Sequence, residues 1–321
     1  MKRYRDITGD GGSNILGQVE ARNRRLRERM TSVRHKIAIV SGKGGVGKSS
    51  FTANLALGLA ARGFQVAALD ADINGPSLAR MLGVPADSKL QFTSDSVLPA
   101  RGLANIPVMS TDLWVPSENP ITWTGVQQES YLWRGANEAN TLREFLADTA
   151  WGALDYLLLD LPPGTDRFPT IHELLPDLDG VIILTIPSEA SRYVVQKMVS
   201  LAKERGVRIF GLVENMAGYV CPECETVSPL FTAKKSAEMV AADAGIPLLG
   251  AIPFDPRLAV TTDSGHSFLE VRPDSPAAKT FFRITDAVIA FQNQPDKKDG
   301  SHGEVPAQVP VPAPHEKEAR L

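Results

Sequence analysis

The chain has 321 residues, 43% hydrophobic and 22% charged, with a formal net charge of −3 at pH 7. That size and apolar content suit one large globular domain, or one domain with tails. The near-balanced charge gives no reason to expect nucleic acid or an anionic membrane as an obligate partner, and no run approaches the roughly eighteen apolar residues of a spanning helix.

Residues 1–35 are polar, with Gly9, Gly11 and Gly12 early and Arg22, Arg24, Arg25, Arg27, Arg29 and Arg34 later. They lack the apolar stretch of a secretory signal. A short charged helix is expected. A solvated leader is favoured over a nucleic-acid-binding arm, because Glu20 and Glu28 interrupt the basic run and no aromatics interleave.

Ile37-Ala38-Ile39-Val40 reads as a β-strand, and an Ala- and Leu-rich helical pattern runs from Phe51 to Ala61. Between them lies Ser41-Gly42-Lys43-Gly44-Gly45-Val46-Gly47-Lys48-Ser49-Ser50, in which Gly42, Gly47, Lys48 and Ser49 fit the phosphate-loop spacing G-x-x-x-x-G-K-[ST]. Glycines let backbone N–H groups close around phosphate oxygens with no Cβ in the way. A helix beginning at Lys48 points its positive end at the same anion. Gly42 through Ser50 is therefore the candidate nucleotide-binding set. Lys48 is expected to reach the β- and γ-phosphates of ATP, and the Ser49 hydroxyl to hold Mg²⁺. Lys43 is a second lysine that an ordinary phosphate loop does not need.

Val66 to Leu69 is the next strand and ends at Asp70, with Asp72 and Gly75-Pro76-Ser77 following and a short helix running to Leu82. Ligands bind at the carboxyl ends of strands in open α/β sheets, which makes both carboxylates site candidates. From 84 to 130, Val97, Leu98, Ile106, Pro107 and Val108 suggest short strands or connectors, and Trp114, Pro116, Pro120 and Trp123 a loop insertion. Trp133-Arg134-Gly135 reads as a turn. A helix from Leu142 to Ala150 follows, with Leu142, Phe145, Leu146 and Thr149 on one face. Tyr156 to Leu159 is apolar without alternation, as in a strand covered on both faces. Asp160 at its end is placed to hold Mg²⁺ directly or through water. Pro163 and Gly164 then form a switch II candidate: the prolines stiffen the loop and Gly164 frees its N–H to face a γ-phosphate.

Val181–Ile186 and Ile209–Glu214 read as strands, with a helix from Ser188 to Glu204 between them. Asn215 sits where an amide side chain can read a purine ring, or simply make a turn. Next come Cys221 and Cys224, the only cysteines, whose scarcity points to a reducing, cytoplasmic setting. Two such thiols share a metal centre or form a disulfide. A tetrahedral zinc or an iron–sulfur cluster wants about four ligands, and there is no third cysteine. No helix starts at Cys221 to depress its pKa, which weakens the case for a thioredoxin-like pair. A helix at 236–244, a strand and turn at 247–253 and a final helix at 276–291 complete the pattern, with Pro253 beside the expected base pocket. From 293 the chain is rich in Pro, Ala, Val and charge, including Pro306, Pro310, Pro312 and Pro314. It reads as a disordered tail without the amphipathic helix of a membrane-docking ATPase.

The two lysines flanking Gly-Gly-Val-Gly resemble the deviant Walker A motif of the nitrogenase-iron-protein and MinD class of ATPases. That resemblance implies a nucleotide-sandwich homodimer in which Lys43 crosses to the other copy's nucleotide. Asp70-Ala71-Asp72 with Gly75-Pro76-Ser77 resembles that class's switch I, which implies that Asp72 positions the attacking water and Asp70 supports Mg²⁺. Taken with Asp160 to Thr165, and with Asn215-Met216 followed by Cys-Pro-Glu-Cys, the stretch from about His35 to Val288 resembles the Mrp/ApbC-type iron–sulfur cluster carrier ATPases. Gly250 to Pro253 and Asp263-Ser264-Gly265 add to the match. Asp166-Arg167 stand where that family often has Gly-Asp, and His266 where proline is common.

The resemblance implies a doubly wound, mostly parallel α/β sheet with helices on both faces. It also implies a homodimer that holds a [4Fe–4S] cluster on two Cys221/Cys224 pairs, passes it to apo iron–sulfur proteins, and hydrolyses ATP slowly. Lys43, Lys48 and Asp72 would serve catalysis, and Ser49, Asp70 and Asp160 would hold Mg²⁺. The expected organisation is a leader (1–35), a phosphate-loop ATPase domain (36–292) and a tail (293–321). Two alternatives are a MinD/ParA-like positioning or partition ATPase and a zinc-bridged dimeric regulator.

Overall fold

A computed structural model describes residues 15–113, 131–231 and 236–293. In chain order its first half comprises α1 (Ile15–Met30), β1 (Val33–Ser41), α2 (Lys48–Ala61), β2 (Val66–Asp70), α3 (Leu78–Met81), β3 (Gln91–Phe92), β4 (Val97–Leu98), β5 (Ala100–Arg101), β6 (Pro107–Met109) and α4 (Tyr131–Asp148). The second half comprises β7 (Leu154–Asp160), α5 (Phe168–Leu174), β8 (Gly180–Thr185), α6 (Glu189–Glu204), β9 (Ile209–Val220), β10 (Val227–Ser228), α7 (Ala237–Ala244), β11 (Leu248–Phe254), α8 (Pro256–Asp263), α9 (Phe268–Val271) and α10 (Pro276–Gln292).

Nine strands form one sheet in the order β10-β9-β8-β1-β7-β2-β6-β5, with β11 also paired to β9. All pairings are parallel except β5 with β6 and β10 with β9, where short strands turn back at the margins. The central strands are apolar on both faces because both faces are covered. In β1, Ala38 and Val40 join one core with α1, α4, α5, α6 and α7, while Ile37 and Ile39 join the other with α2, α3, α9 and α10. Parallel strands end together, so the loops after β1, β2, β7, β8, β9 and β11 gather along one edge of the sheet. The register sets Asp70 directly beside Asp160.

Three elements differ from the sequence expectation. Helix α4 already runs from Tyr131, so Trp133-Arg134-Gly135 is helical rather than a turn. A single glycine costs a helix only about 1 kcal/mol. Burial of Leu142, Phe145 and Leu146 outweighs that, at roughly 1.5–3 kcal/mol each. The helix stops at Asp148, so Thr149 is buried just past its end, bridging to Val97. Strand β9 continues past Glu214 to Val220, with Met216 at φ 57° marking a bulge. Helix α1 is not merely solvated: Leu26 and Met30 are buried in the core, and Arg25 pairs with Asp148 at 3.2 Å. The expectations for Trp114, Pro116, Pro120, Trp123 and the tail from 294 onward lie outside the described residues.

Candidate nucleotide and thiol sites

The phosphate loop leaves β1 and enters α2 through Gly47, whose φ of 82° only glycine adopts without strain. Gly42 is required for a different reason: a Cβ there would lie 1.3 Å from Val194 Cγ1 on α6. Lys48 in the first turn of α2 is 7% exposed, and its Nζ donates to Asp160 Oδ1 at 2.8 Å. Thr52, one turn later, donates to the same oxygen at 3.2 Å, and the Ser49 side chain also bonds Asp160. Asp160 is fully buried and its Oδ2 has no protein partner. Burial raises its pKa; the Lys48 ammonium pulls it back down.

Asp70 is also buried, and its oxygens are already engaged. Oδ2 accepts from the backbone N–H groups of Ser77 (2.9 Å) and Leu78 (3.0 Å), and Oδ1 from that of Asp72 (3.1 Å). The Ser110 hydroxyl, just after β6, donates to Oδ2 at 3.4 Å. Burial, with the neighbouring Asp160 charge second, lifts the Asp70 pKa to about 7; the three backbone donors oppose this. Asp70 thus holds the 72–78 turn in shape. Asp72 is half-buried and its Oδ1 accepts from Gly75 N–H at 3.2 Å.

After β7, Gly164 N–H donates to Ser41 O at 2.9 Å, which lays the Pro163-Gly164 segment beside the phosphate loop. Lys43 is exposed. Asn215, in mid-β9, donates from Nδ2 to Val46 O at 2.8 Å, so its amide braces the phosphate loop from the side. Ile252 of β11 is in register with Asn215, which puts the buried Pro253 next to it.

The thiols sit apart from this cluster. Five residues of strand, Met216 to Val220, separate Asn215 from Cys221, a span of roughly 20 Å at most. Cys221 is half-buried and Cys224 exposed, in a turn closed by Glu225 N–H to Cys221 O (2.9 Å) and Cys221 N–H to Thr226 O (3.0 Å). The Thr226 hydroxyl lies 3.3 Å from Cys224 Sγ and, with the Thr226 backbone and Cys221, draws that thiol's pKa down. Arg257 braces the turn from α8, bonding Glu225 at 2.9 Å and the buried Asp255 at 2.7 Å. Among the described residues no three His, Cys, Asp or Glu side chains group to hold a metal, and at this turn the two thiols are the free cysteines.

The structure therefore gathers Gly42 to Ser50, Asp70, Asp72, Asp160, Pro163, Gly164, Asn215 and Pro253 along one sheet edge, and sets Cys221 and Cys224 farther along β9. Sequence reasoning missed Thr52, Ser110 and Arg257. Thr52 had a readable signal, one helical turn after Lys48. The others are polar residues in unmarked positions.

A sequence model described as ParA, the NUBPL iron-transfer P-loop NTPases, matches residues 32–289. The chain belongs to that family. Within reach of this NTPase are curated relatives of nearly its own length. It is 40% identical to an iron-sulfur cluster carrier protein of Saccharolobus solfataricus over 85% of this chain and 88% of the relative. It is 38% identical to the cytosolic Fe-S cluster assembly factor NBP35 of Eremothecium gossypii, over 82% and 78%. Among solved structures, an Archaeoglobus fulgidus nucleotide-binding protein in complex with ADP, with Co found by PIXE, superposes on this NTPase with a TM-score of 0.64. That pair is 34% identical, covering 76% of this chain and 92% of the other. MinD from Pyrococcus horikoshii, solved with Mg-ADP, shares the fold at a TM-score of 0.55 and 24% identity.

Proposed function

We infer that this NTPase is an ATP-dependent carrier that accepts a [4Fe–4S] cluster between two copies of the chain and delivers it to apo iron–sulfur proteins. The observation that carries this reading is β9. One strand carries Asn215, which bonds the phosphate loop, and runs into the turn that bears Cys221 and Cys224, which would be half of a four-thiolate ligand set. Two chains would complete the set with two Cys221/Cys224 pairs.

The residues present fit Mg²⁺ and a triphosphate. Asp160 keeps one buried oxygen without a protein partner, beside Ser49 and Lys48, and the glycine loop presents its N–H groups without side chains. Mg²⁺ supplies charge neutralisation on the phosphates. Asp160 and Ser49 would hold it, and Asp70 would support it at one remove by fixing the turn that carries Asp72. Lys48 would shift from Asp160 toward the β- and γ-phosphate oxygens. Asp72 would orient the attacking water, and the Pro163-Gly164 segment would close on the γ-phosphate. Lys43, exposed on the loop, would reach the other copy's nucleotide. Slow turnover suits a switch better than a metabolic ATPase, and a cytoplasmic setting keeps the thiols reduced. Among the described residues no helix is long and apolar enough to cross a membrane.

The test is iron, sulfide and zinc per subunit after anaerobic reconstitution, with the mass in solution. The expected result is about four iron and four sulfide per two chains. Zinc in place of iron, or a nucleotide-loaded protein that stays a single chain, would overturn the reading.

A further inference from the structure

Asn74 lies two residues beyond Asp72, and Arg167 two beyond Thr165. They belong to different loops, one after β2 and one after β7. Both reach the same side chain on a third element. Glu138 of α4 is 5% exposed; its Oε1 accepts from Asn74 Nδ2 at 3.0 Å and its Oε2 pairs with Arg167 Nη2 at 2.6 Å. Each carboxylate oxygen thus holds a different phosphate-facing loop.

Helix α4 is a fixed post. Leu142, Phe145 and Leu146, at helical spacing from Glu138, are buried in the core. A second acidic neighbour competes only weakly for the guanidinium: Asp166 Oδ2 lies 3.8 Å from Arg167 Nε and is mostly exposed. A buried carboxylate needs its cation, so Glu138 and Arg167 hold each other in place.

We propose that Glu138 is a positioning residue that couples the 72–77 loop to the 160–167 loop, so that a phosphate sensed by either is registered by both. This rests on the nucleotide-site part of the proposed function. A bidentate carboxylate with one oxygen per loop cannot follow one partner without loosening the other, which is how coupling passes through a shared side chain.

Hydrogen–deuterium exchange of the full-length protein with and without MgATP tests it, in Asn74→Ala, Arg167→Ala, Arg167→Lys and Glu138→Gln. In the unaltered protein MgATP should slow exchange in 42–50, 72–77 and 161–167. Arg167→Ala should cut the MgATP-dependent protection of 72–77 about fivefold, and Asn74→Ala that of 161–167 by a similar factor, with 42–50 little changed. Arg167→Lys should restore most of it, and Glu138→Gln should lower both. A purely structural role would raise exchange equally with and without MgATP. That result, or an Arg167→Ala effect confined to its own loop, overturns the coupling. If MgATP protects none of the three segments, the nucleotide site itself falls, and the coupling with it. Asn74 is exposed and Arg167 partly so, which keeps the test open should Glu138→Gln fold poorly.

Discussion

The phosphate-facing end of the sheet and the thiol turn solve opposite problems. Lys48, Asp70 and Asp160 are closed off from solvent and bonded to one another or to backbone, while Cys224 is exposed and Cys221 only half-covered. Charges act more strongly where water is excluded, which suits phosphate chemistry. A ligand that must be handed on has to remain reachable. The buried end should therefore govern stability, and the exposed end cargo with little bearing on stability.

The hardest test of that contrast is Lys48→Ala. It leaves Asp160 buried with only hydroxyl donors. Urea denaturation at pH 7 should show a loss of about 3–5 kcal/mol. Titration with a fluorescent ATP analogue should show affinity at least about a hundredfold weaker. Intact ATP affinity would remove Lys48 from the site.

Next comes pH. Folded Asp70 keeps a proton up to about pH 7, whereas its unfolded pKa is 3.8. The folded state binds more protons between those values, so this group's contribution is present at low pH and is lost as pH rises from about 4 to 7. Its slope is at most about 1.4 kcal/mol per pH unit. Glu214, raised to about 7 by burial and then by Glu238, acts with the same sign. The stability of the unaltered protein relative to Asp70→Asn should fall as pH rises across that window, since the Glu214 contribution is common to both. A difference that does not vary with pH would mean Asp70 is ionised throughout.

Asn215→Ala sharpens the comparison because Asn215 stands on the strand that joins the two regions. It removes one hydrogen bond to Val46 O, worth about 1 kcal/mol. ATP affinity should fall about fivefold while reconstituted iron per subunit is unchanged. Iron lost in proportion would show that β9 transmits more than position. Cys224→Ala is the mildest for the fold, with a stability change within about 0.5 kcal/mol by denaturation. Bound iron, measured in the same sample, should nevertheless be lost.

Much of the site was legible before any coordinates, for reasons that differ by residue. Gly42 to Ser49 could be read because phosphate binding demands fixed residue types at fixed spacing. Asp70 and Asp160 could be read because each ends an apolar run, where parallel strands deliver ligand-facing groups. The turn expected at Trp133-Arg134-Gly135 failed because local propensity there was outweighed by burial farther along the helix. The end expected for β9 at Glu214 failed because a bulge at Met216 lets a strand pass through residues that look like a turn.

By itself the sequence determined the phosphate loop, the central strands and the presence of two thiols three positions apart, because each is written in contiguous residues. Only the tertiary structure decided that Asn215 braces the loop, that Asp70 is spent on holding a turn, and that Glu138 joins Asn74 to Arg167. Those pairings link positions far apart in the chain, and nothing local in a polar side chain announces which distant atom will satisfy it once water is excluded.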